Sequence, residues 1–236
     1  MLKCIKKEIR KQASPARAKV SQWFFKTGKG QYGEGDKFLG LTVPQSRTLA
    51  QKYKNLAFND ISKLLKSMFH EERQIALFIL VHNFEHGDAK LKQKIYNFYL
   101  KNIRYINNWD LVDLSAHKIV GAYLLSRNTS LLTKLARSKN IWERRIAIIS
   151  TFQFIRNHKF DHTLKISKIL LRDQHDLIHK AVGWMLREVG KRDKKVLVKF
   201  LKQNAKDMPR TALRYAIEHF PKIERRRWLT LPSQKP

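Results

Sequence analysis

The sequence of 236 residues has few acidic residues, one cysteine and no long apolar segment. It contains 19 Asp+Glu against 49 Lys+Arg, which gives a formal net charge of +30. The single cysteine, Cys4, excludes an internal disulfide framework and a cysteine-based zinc site, and it fits a reducing compartment. Apolar runs such as ALFILV at 76–81 are far shorter than the ~20 residues that a membrane span requires. We therefore expect an intracellular, cytoplasmic protein.

The positive charge is distributed along the whole chain, from Lys3 to Lys235, and is not confined to a basic tail. A surface of this kind attracts polyanions, chiefly nucleic acid or an acidic membrane face, and we favour nucleic acid. Hydrophobic residues make up 43% of the sequence and aromatic residues 11%, which is enough to fill a core. The chain is therefore expected to fold and to bind a polyanion through its surface, and with DNA as that polyanion we expect it to be associated with the nucleoid.

The periodicity of apolar residues is helical nearly everywhere, and no segment alternates as a strand does. Thr42 and Gln45 form the pattern of a capping box, with Pro44 at the start of a helix. Asn59 and Asn108 are candidate N-caps, and Gly190 is a candidate C-cap. The sequence predicts an all-α protein.

Four segments share one pattern of charge followed by small and apolar residues. The segments are HEERQIALFIL (70–80), IWERRIAIIST (141–151), LIHKAVGWMLR (177–187) and MPRTALRYAIE (208–218). The alanines that align between them are Ala76, Ala147, Ala181 and Ala216. The last three are 34 and 35 residues apart, and the first interval, 71 residues, equals two periods. A period of about 35 residues built from helix pairs predicts a curved α-solenoid of HEAT-like repeats.

We expect one domain over 1–236. Its predicted parts are an N-terminal helical pair (1–27), a glycine-rich loop (28–41), the helical repeats (42–228) and a tail (229–236). Trp109, Arg145 and Lys180 are 36 and 35 residues apart, so the repeat places them in a row on equivalent helices. Gly183, inside a predicted helix, indicates close approach of a neighbouring backbone. Trp142 is interpreted as a core residue.

Two motifs of other protein classes occur without the context that they need. GKGQYG at 28–33 matches a dinucleotide fingerprint, but no strand precedes it and no βαβ unit surrounds it. HNFEH at 82–86 has the spacing of a zinc site, but Gly87 ends the helix at once and no third ligand is marked out. We expect neither a metal ion nor a cofactor.

The segment NNWDLVDL, residues 107–114, places two carboxylates beside a tryptophan in a basic protein. In a helix, Trp109 and Asp113 stand at i and i+4, on one face. Asp110 lies in the first turn after the Asn108 cap, where the helix dipole stabilises it. For Asp113 two interpretations stay open, a salt bridge to a neighbouring Lys or Arg and a functional carboxylate.

Four stretches together resemble the AlkD-like family of HEAT-like-repeat alkylpurine DNA glycosylases. They are FLGLTVPQSR (38–47), NNWDLVD (107–113), IWERRIAI (141–148) and KAVGWMLRE (180–188). They follow the family's order and spacing, and the resemblance covers most of the chain from about 20 to 220. Asp176 and Leu177 depart from the family's paired aromatic residues, and the glycine-rich insertion at 28–37 differs from the family's shorter loop.

The resemblance implies roles for particular residues. Asp113 takes the place of the catalytic carboxylate, and Trp109 and Trp184 take the places of the aromatics that flank the sugar of the damaged nucleotide. The residues assigned to DNA binding are Thr42, Arg47, Arg144, Arg145, Lys180 and Arg187. The implied reaction is excision of N3- or N7-alkylated purines, such as 3-methyladenine and 7-methylguanine, from double-stranded DNA. We expect a monomer that requires no protein partner.

Two other function classes stay open at this point. A HEAT-like solenoid without catalytic activity can bind DNA, although the presence of Trp109, Asp113 and Trp184 argues against this alternative. A HEAT-type adaptor between proteins does not require a charge of +30. Release of bases from methylated DNA separates the glycosylase from both alternatives.

Overall fold

Helices form the regular structure of the residues that the computed structural model describes, 1–231. Within these residues no strand is present, and the one extended contact is an isolated parallel bridge between Lys37 and Phe69. The chain divides into two compact units, Met1–Ile119 and Val120–Pro236, called here the first and the second unit. The prediction of an all-α fold is confirmed.

The first unit is built around one long, almost completely buried helix, α5. Its helices are α1 (Leu2–Lys11), α2 (Pro15–Phe24), α3 (Val43–Lys52), α4 (Phe58–Leu65), α5 (His70–His86), α6 (Ala89–Lys101) and α7 (Trp109–Ala116), with a 3₁₀ turn at Ile103–Tyr105. Helices α3, α4, α6 and α7 all pack against α5. Lys6 and Arg10 of α1 form ion pairs of 3.1 and 2.9 Å with the buried Glu72 of α5. The start of α5 is therefore charged, although it lies in the interior.

The second unit is built around α13, which is also long and packs against helices on both sides of it in the sequence. Its helices are α8 (Ala122–Leu124), α9 (Ser130–Ala136), α10 (Ile141–Ser150), α11 (Phe152–Arg156), α12 (Asp161–Leu170), α13 (Asp176–Arg192), α14 (Lys194–Asn204), α15 (Arg210–Ala216) and α16 (Lys222–Leu229). A π-helix at His117–Gly121 contains the boundary between the units. A Cβ on Gly183 would lie 2.5 Å from the Ala212 carbonyl oxygen, so α13 and α15 approach closely there, as predicted.

The helical repeat is confirmed. Each aligned alanine is buried and lies on the second helix of a consecutive pair: α4 and α5, α9 and α10, α12 and α13, or α14 and α15. Trp142 is buried, as predicted for a core residue. Helices α1 and α2 lie within the predicted N-terminal pair, and 25–42 carry no helix. The single domain stays a prediction, and of the predicted tail, 232–236 lie outside the described residues.

The helix starts predicted at Thr42 and Asn108 are confirmed, whereas the ends predicted at Asn59 and Gly190 are wrong. Thr42 and Gln45 form the capping box. Helix α4 begins at Phe58 with Ala57 as its N-cap, so Asn59 lies inside the helix, and the Phe58 ring packs at 5.1 Å against Phe98 of α6. Helix α13 continues past Gly190 to Arg192, and Leu197 of α14 occupies the space that a side chain at 190 would need, which accounts for the glycine.

None of the helices among residues 1–231 is long and apolar enough to cross a membrane.

Candidate active site

The first unit contains a cavity of about 640 Å³ whose lining is mostly apolar, here called the aromatic cavity. Helices α2, α3, α5 and α7 and the segment between α2 and α3 contribute its walls. The aromatic residues that line it are Phe24, Phe25, Phe38, Phe78 and Trp109. Asp110 and Asp113 of α7 line it as well. It therefore brings together both members of the predicted tryptophan and carboxylate pair.

Helix α7 starts at a fixed point because its cap is itself anchored. The Asn108 side chain accepts a hydrogen bond of 2.8 Å from the Trp109 backbone N–H and donates one of 3.1 Å to Asp36. Asn108 is completely buried. Trp109 is thus the first residue of the helix, and Asp113 follows one turn later on the same face. This local geometry agrees with the sequence prediction.

The Trp109 ring is held by a stack of aromatic rings. Phe25 lies parallel to it at 5.4 Å between centroids, and Phe24 meets its edge at 6.0 Å. Phe25 also stacks at 5.0 Å on Phe38, which in turn stacks at 4.7 Å on His70. Sequence reasoning missed Phe24, Phe25 and His70. The aromatic run at 23–25, directly before the glycine-rich segment, is the signal that points to the first two.

A buried charge network lies beneath this stack. The two ring nitrogens of His70 contact Asp110 at 2.8 Å and Asp36 at 3.4 Å, and Arg73 donates to Asp36 at 2.7 Å. Burial lowers the pKa of His70, but the charge and hydrogen bond of Asp110 and the hydrogen bond of Asp36 outweigh it and raise the pKa to about 9. Burial raises the pKa of Asp36, whereas His70, Arg73 and Asn108 bring it below its usual value. His70 is therefore an imidazolium at neutral pH.

Asp110 has a larger structural role than the helix dipole gives it. It lies in the first turn of α7, as predicted, and accepts a hydrogen bond from the Leu111 N–H at 2.8 Å. In addition it pairs with His70 and accepts from the Gln74 amide at 3.1 Å. The dipole interpretation was therefore incomplete, because these partners lie on α5, far away in the sequence.

Glu71 fixes the chain segment that leads into α3. Its carboxylate accepts hydrogen bonds from the backbone N–H groups of Leu39, Gly40 and Leu41, the shortest at 2.7 Å. The Arg17 side chain donates to the Gly40 carbonyl at 2.7 Å. Gly40 has a φ of +80°, and a Cβ there would lie 2.2 Å from the Ser14 carbonyl oxygen. These contacts anchor the segment that places Phe38 and Thr42 at the cavity.

A second cavity of about 410 Å³ shares part of this wall. The residues common to both cavities are Arg47, Phe78, Asp113 and Leu114. The Arg47 guanidinium lies 5.2 Å above the Phe78 ring, a cation–π arrangement that leaves the cation at the surface. Asp113 and Arg47 therefore stand where the two cavities meet, and Thr42 lines the aromatic cavity only.

The histidines of HNFEH, 82–86, serve other contacts. His86 donates to the His82 carbonyl at 2.8 Å, and Glu85 pairs with Lys118 at 2.9 Å. Among residues 1–231, no group of three or more His, Cys, Asp or Glu side chains is arranged to hold a metal ion.

The other predicted site residues belong to the second unit. Trp184 of α13 lies 6.2 Å from the Phe152 ring. Arg145 is only 5% exposed and donates to the Leu177 carbonyl. Arg144 pairs with Asp173 at 2.6 Å and donates to two backbone carbonyls of 138–139. Arg145 and Arg144 thus have structural contacts within their own unit.

Lys180 and Arg187 also carry ion pairs. Lys180 pairs with Asp176, one turn before it on α13, at 2.7 Å, and Arg187 pairs with Glu218. Asp176 stands where the resemblance leads one to expect an aromatic residue, and here it orients Lys180. Both side chains are partly exposed, so a DNA phosphate can compete with these carboxylates for the two cations. Their contact with DNA stays a prediction.

The aromatic cavity is suited to a group that becomes positively charged. Of its three carboxylates, Glu71 holds the 38–42 segment and Asp110 holds His70. Asp113 is the third carboxylate. It is half-buried and lies one helical turn after Trp109, on the same face of α7. Aromatic faces attract cations, and a carboxylate in a partly desolvated site stabilises developing positive charge strongly.

Comparison with known proteins agrees with these features. A family model described as DNA alkylation repair enzyme matches residues 5–220. Among solved structures, the chain is similar to a predicted DNA alkylation repair enzyme from Enterococcus faecalis, with 18% identity and a TM-score of 0.68. The similarity covers 89% of this chain and 98% of that one. At this identity the likeness concerns the fold. No curated protein matches the chain.

Proposed function

The chain belongs to the DNA alkylation repair enzyme family, and from this premise we propose that it is a monofunctional DNA glycosylase. The proposed substrates are purines alkylated at N3 or N7, such as 3-methyladenine and 7-methylguanine, in double-stranded DNA. The observation that carries the proposal is the placement of Asp113 and Trp109 on one face of α7, in a cavity walled by aromatic rings.

The charge of the substrate matches this lining. An N3- or N7-alkylated purine is cationic, so the bond between its ring nitrogen and the deoxyribose is already weak. As this bond breaks, its electron pair stays on the base, which leaves as a neutral molecule. Positive charge moves to the sugar, and the Asp113 carboxylate and the face of Trp109 stabilise it. Because the base leaves without protonation, one carboxylate is sufficient.

Water completes the reaction. Asp113 positions a water molecule against the sugar carbon, and a new carbon–oxygen bond forms while the water loses a proton to solvent. The products are the free base and an abasic site in the strand. No lysine is placed by a motif to form a Schiff base with the opened sugar, so we propose no strand cleavage.

Cations of both units hold the DNA in this proposal. Arg47 stands at the edge of the aromatic cavity beside Asp113. The further residues proposed to contact the DNA backbone are Thr42, Arg144, Arg145, Lys180 and Arg187. Trp184 is proposed as the second aromatic beside the sugar. The excess of 49 basic over 19 acidic residues supports binding that does not depend on base sequence.

The experiment that tests this function is incubation with randomly methylated duplex DNA, followed by chromatography of the released bases. We expect 3-methyladenine and 7-methylguanine in the soluble fraction, in amounts that rise with enzyme and time. DNA binding without release of any base contradicts the proposal and supports a non-catalytic DNA-binding protein. Failure to bind DNA at all supports a protein adaptor.

A further inference from the structure

The outer side of α2 carries apolar side chains that the first unit does not cover. Trp23 is 81% exposed and Phe24 is 54% exposed. They line a groove of about 650 Å³, here called the Trp23 groove, between the end of α2 and the glycine-rich segment. This volume lies in the range of about 300–1,000 Å³ that is typical of sites for small ligands. Exposed aromatic groups in a concave site of this size indicate a ligand.

The charge around the Trp23 groove has one sign. Lys19 and Lys26 line it together with the polar side chains of Gln22, Thr27 and Gln31, and none of the carboxylates in residues 1–231 lines it. No Asp or Glu occurs in the sequence between Glu8 and Glu34. The basic residues of that interval are Arg10, Lys11, Arg17, Lys19, Lys26 and Lys29. Within residues 1–231, Lys19 and Lys26 form no ion pair, so their charge is available to an anion.

The Trp23 groove adjoins the aromatic cavity. Phe24 lines both the groove and the cavity, and its ring lies 6.0 Å from the Trp109 ring. Among the described residues, Phe24 alone lines both. A DNA strand whose sugar lies near Asp113 therefore reaches the Trp23 groove within a short length of backbone, on the other side of Phe24.

We propose that the Trp23 groove binds an unpaired nucleotide of DNA, with the base stacked on Trp23 and the adjoining phosphates near Lys19 and Lys26. Exposed aromatic rings in a positively charged groove are the usual means by which proteins bind single-stranded nucleic acid. Only an unpaired base offers its face for stacking, so the groove selects against a fully paired duplex. This inference goes beyond the proposed function, because it requires no bond to break.

Two other occupants fit the groove less well. A second copy of the chain would bring the same lysines against each other, and like charges at a contact repel. A membrane surface contacts a broad, convex apolar face of an amphipathic helix. Here the apolar side chains stand in a concave groove beside polar side chains of the glycine-rich segment. A nucleotide has both the aromatic face and the negative charge that the groove offers.

The test compares binding of two labelled DNAs, a short single-stranded oligothymidine and a fully paired duplex, by fluorescence anisotropy at one salt concentration. Stacking on one aromatic side chain contributes about 5- to 150-fold in Kd per base. Trp23→Ala should weaken binding of the single strand by a factor in this range and binding of the duplex by less than about twofold. Trp23→Phe, which retains a ring, should recover most of the loss.

A matched control is Ile223→Ala, because Ile223 is also strongly exposed, at 73%, and follows Lys222 on the basic helix α16. It should leave binding of both DNAs unchanged. For the single strand, Lys19→Gln should make the slope of log K against log salt shallower by about 0.7, as expected for one lost phosphate contact. The melting temperatures of all variants are measured as well, and we expect them to equal that of the parent because the substituted side chains are exposed.

The proposal is overturned if Trp23→Ala binds the single strand as the parent does, or if it loses equal affinity for both DNAs. It is also overturned if the substitution abolishes binding to anionic phospholipid vesicles, or concentration-dependent self-association, without affecting the single strand. Base release by the parent protein is measured separately. If the parent releases bases and Trp23→Ala binds the single strand as the parent does, the groove proposal is refuted and the proposed function is not. If Trp23→Ala loses binding of the single strand only, and the parent releases no base, the proposed function is refuted and the groove proposal is not.

Discussion

Asp113→Asn removes one negative charge from the wall of the aromatic cavity while the size of the side chain is almost unchanged. If the carboxylate stabilises the sugar cation, excision should fall by about 10²- to 10³-fold, which is the usual effect of removing one electrostatic group at a reacting centre. That factor corresponds to about 3–4 kcal/mol of activation free energy. The unfolding free energy should change by less than about 1 kcal/mol, because Asp113 is half-buried at the cavity wall and ionic contacts of partly exposed groups contribute little.

Asp110→Asn is the matched control on the same helix. It deprives the buried His70 of the charged partner at 2.8 Å, and a hydrogen bond to a charged group contributes about 1.5–3 kcal/mol. We therefore expect a lower melting temperature for this variant, but a smaller loss of excision per folded molecule than for Asp113→Asn. The structure changes the expectation for Asp110, since the helix dipole alone would give at most about 1 kcal/mol.

The assay measures release of 7-methylguanine and 3-methyladenine, DNA affinity and thermal unfolding on the same preparations of parent and variants. Affinity for DNA should stay level or rise in Asp113→Asn, because an anion has left a surface that binds phosphates. Excision by Asp113→Asn at the rate of the parent would refute the mechanism. A lower melting temperature with unchanged excision would show that the Asp113 carboxylate is structural.

Three further predictions concern stability and DNA affinity. The pKa of His70 is about 9 in the folded protein, compared with 6.5 for a histidine in the unfolded chain. The stabilisation by the imidazolium is therefore complete below pH 6.5 and is lost as pH rises to 9. The unfolding free energy should fall by up to about 3 kcal/mol over this window, and less in Asp110→Asn; an equal pH dependence of parent and variant in denaturant titrations contradicts this. Gly183→Ala should destabilise by about 1–3 kcal/mol despite its better helix propensity, because the Cβ meets the Ala212 carbonyl oxygen. Gly28→Ala, in the exposed loop, serves as the control, and equal melting temperatures of the two variants count against close packing at Gly183. The slope of log K against log salt for duplex DNA should be near −5 to −7 for about five to eight phosphates, whereas a slope shallower than about −2 excludes extensive phosphate contact.

Local patterns were sufficient to predict the helices and part of the candidate site. Trp109 and Asp113 are four residues apart, so any helix through them places both on one face, and the structure confirms the helix. The capping box at Thr42 also depends on neighbours in the sequence. Gly183 predicted a close helix contact, because glycine destabilises the interior of a helix and is favoured there where a neighbouring backbone leaves no room for a side chain.

The surroundings of the predicted residues were not visible in the sequence. The ring that stacks on Trp109 comes from Phe25, and the partner of Asp110 is His70. Sequence reasoning assigned Arg145 to DNA binding, but it did not show that the folded second unit leaves the side chain only 5% exposed, against the Leu177 carbonyl. Each of these contacts joins residues that are many positions apart.

The all-α fold, the helical repeat and the positive charge follow from the sequence alone, because hydrophobic periodicity, helix caps and composition are properties of short segments or of the whole chain. The folded structure was needed to show that Glu71 anchors the segment at 38–42, that His70 is charged, and that Trp23 is exposed beside two lysines. The protonation and exposure of a side chain depend on what packs around it, and that depends on contacts between distant segments, which no local pattern encodes.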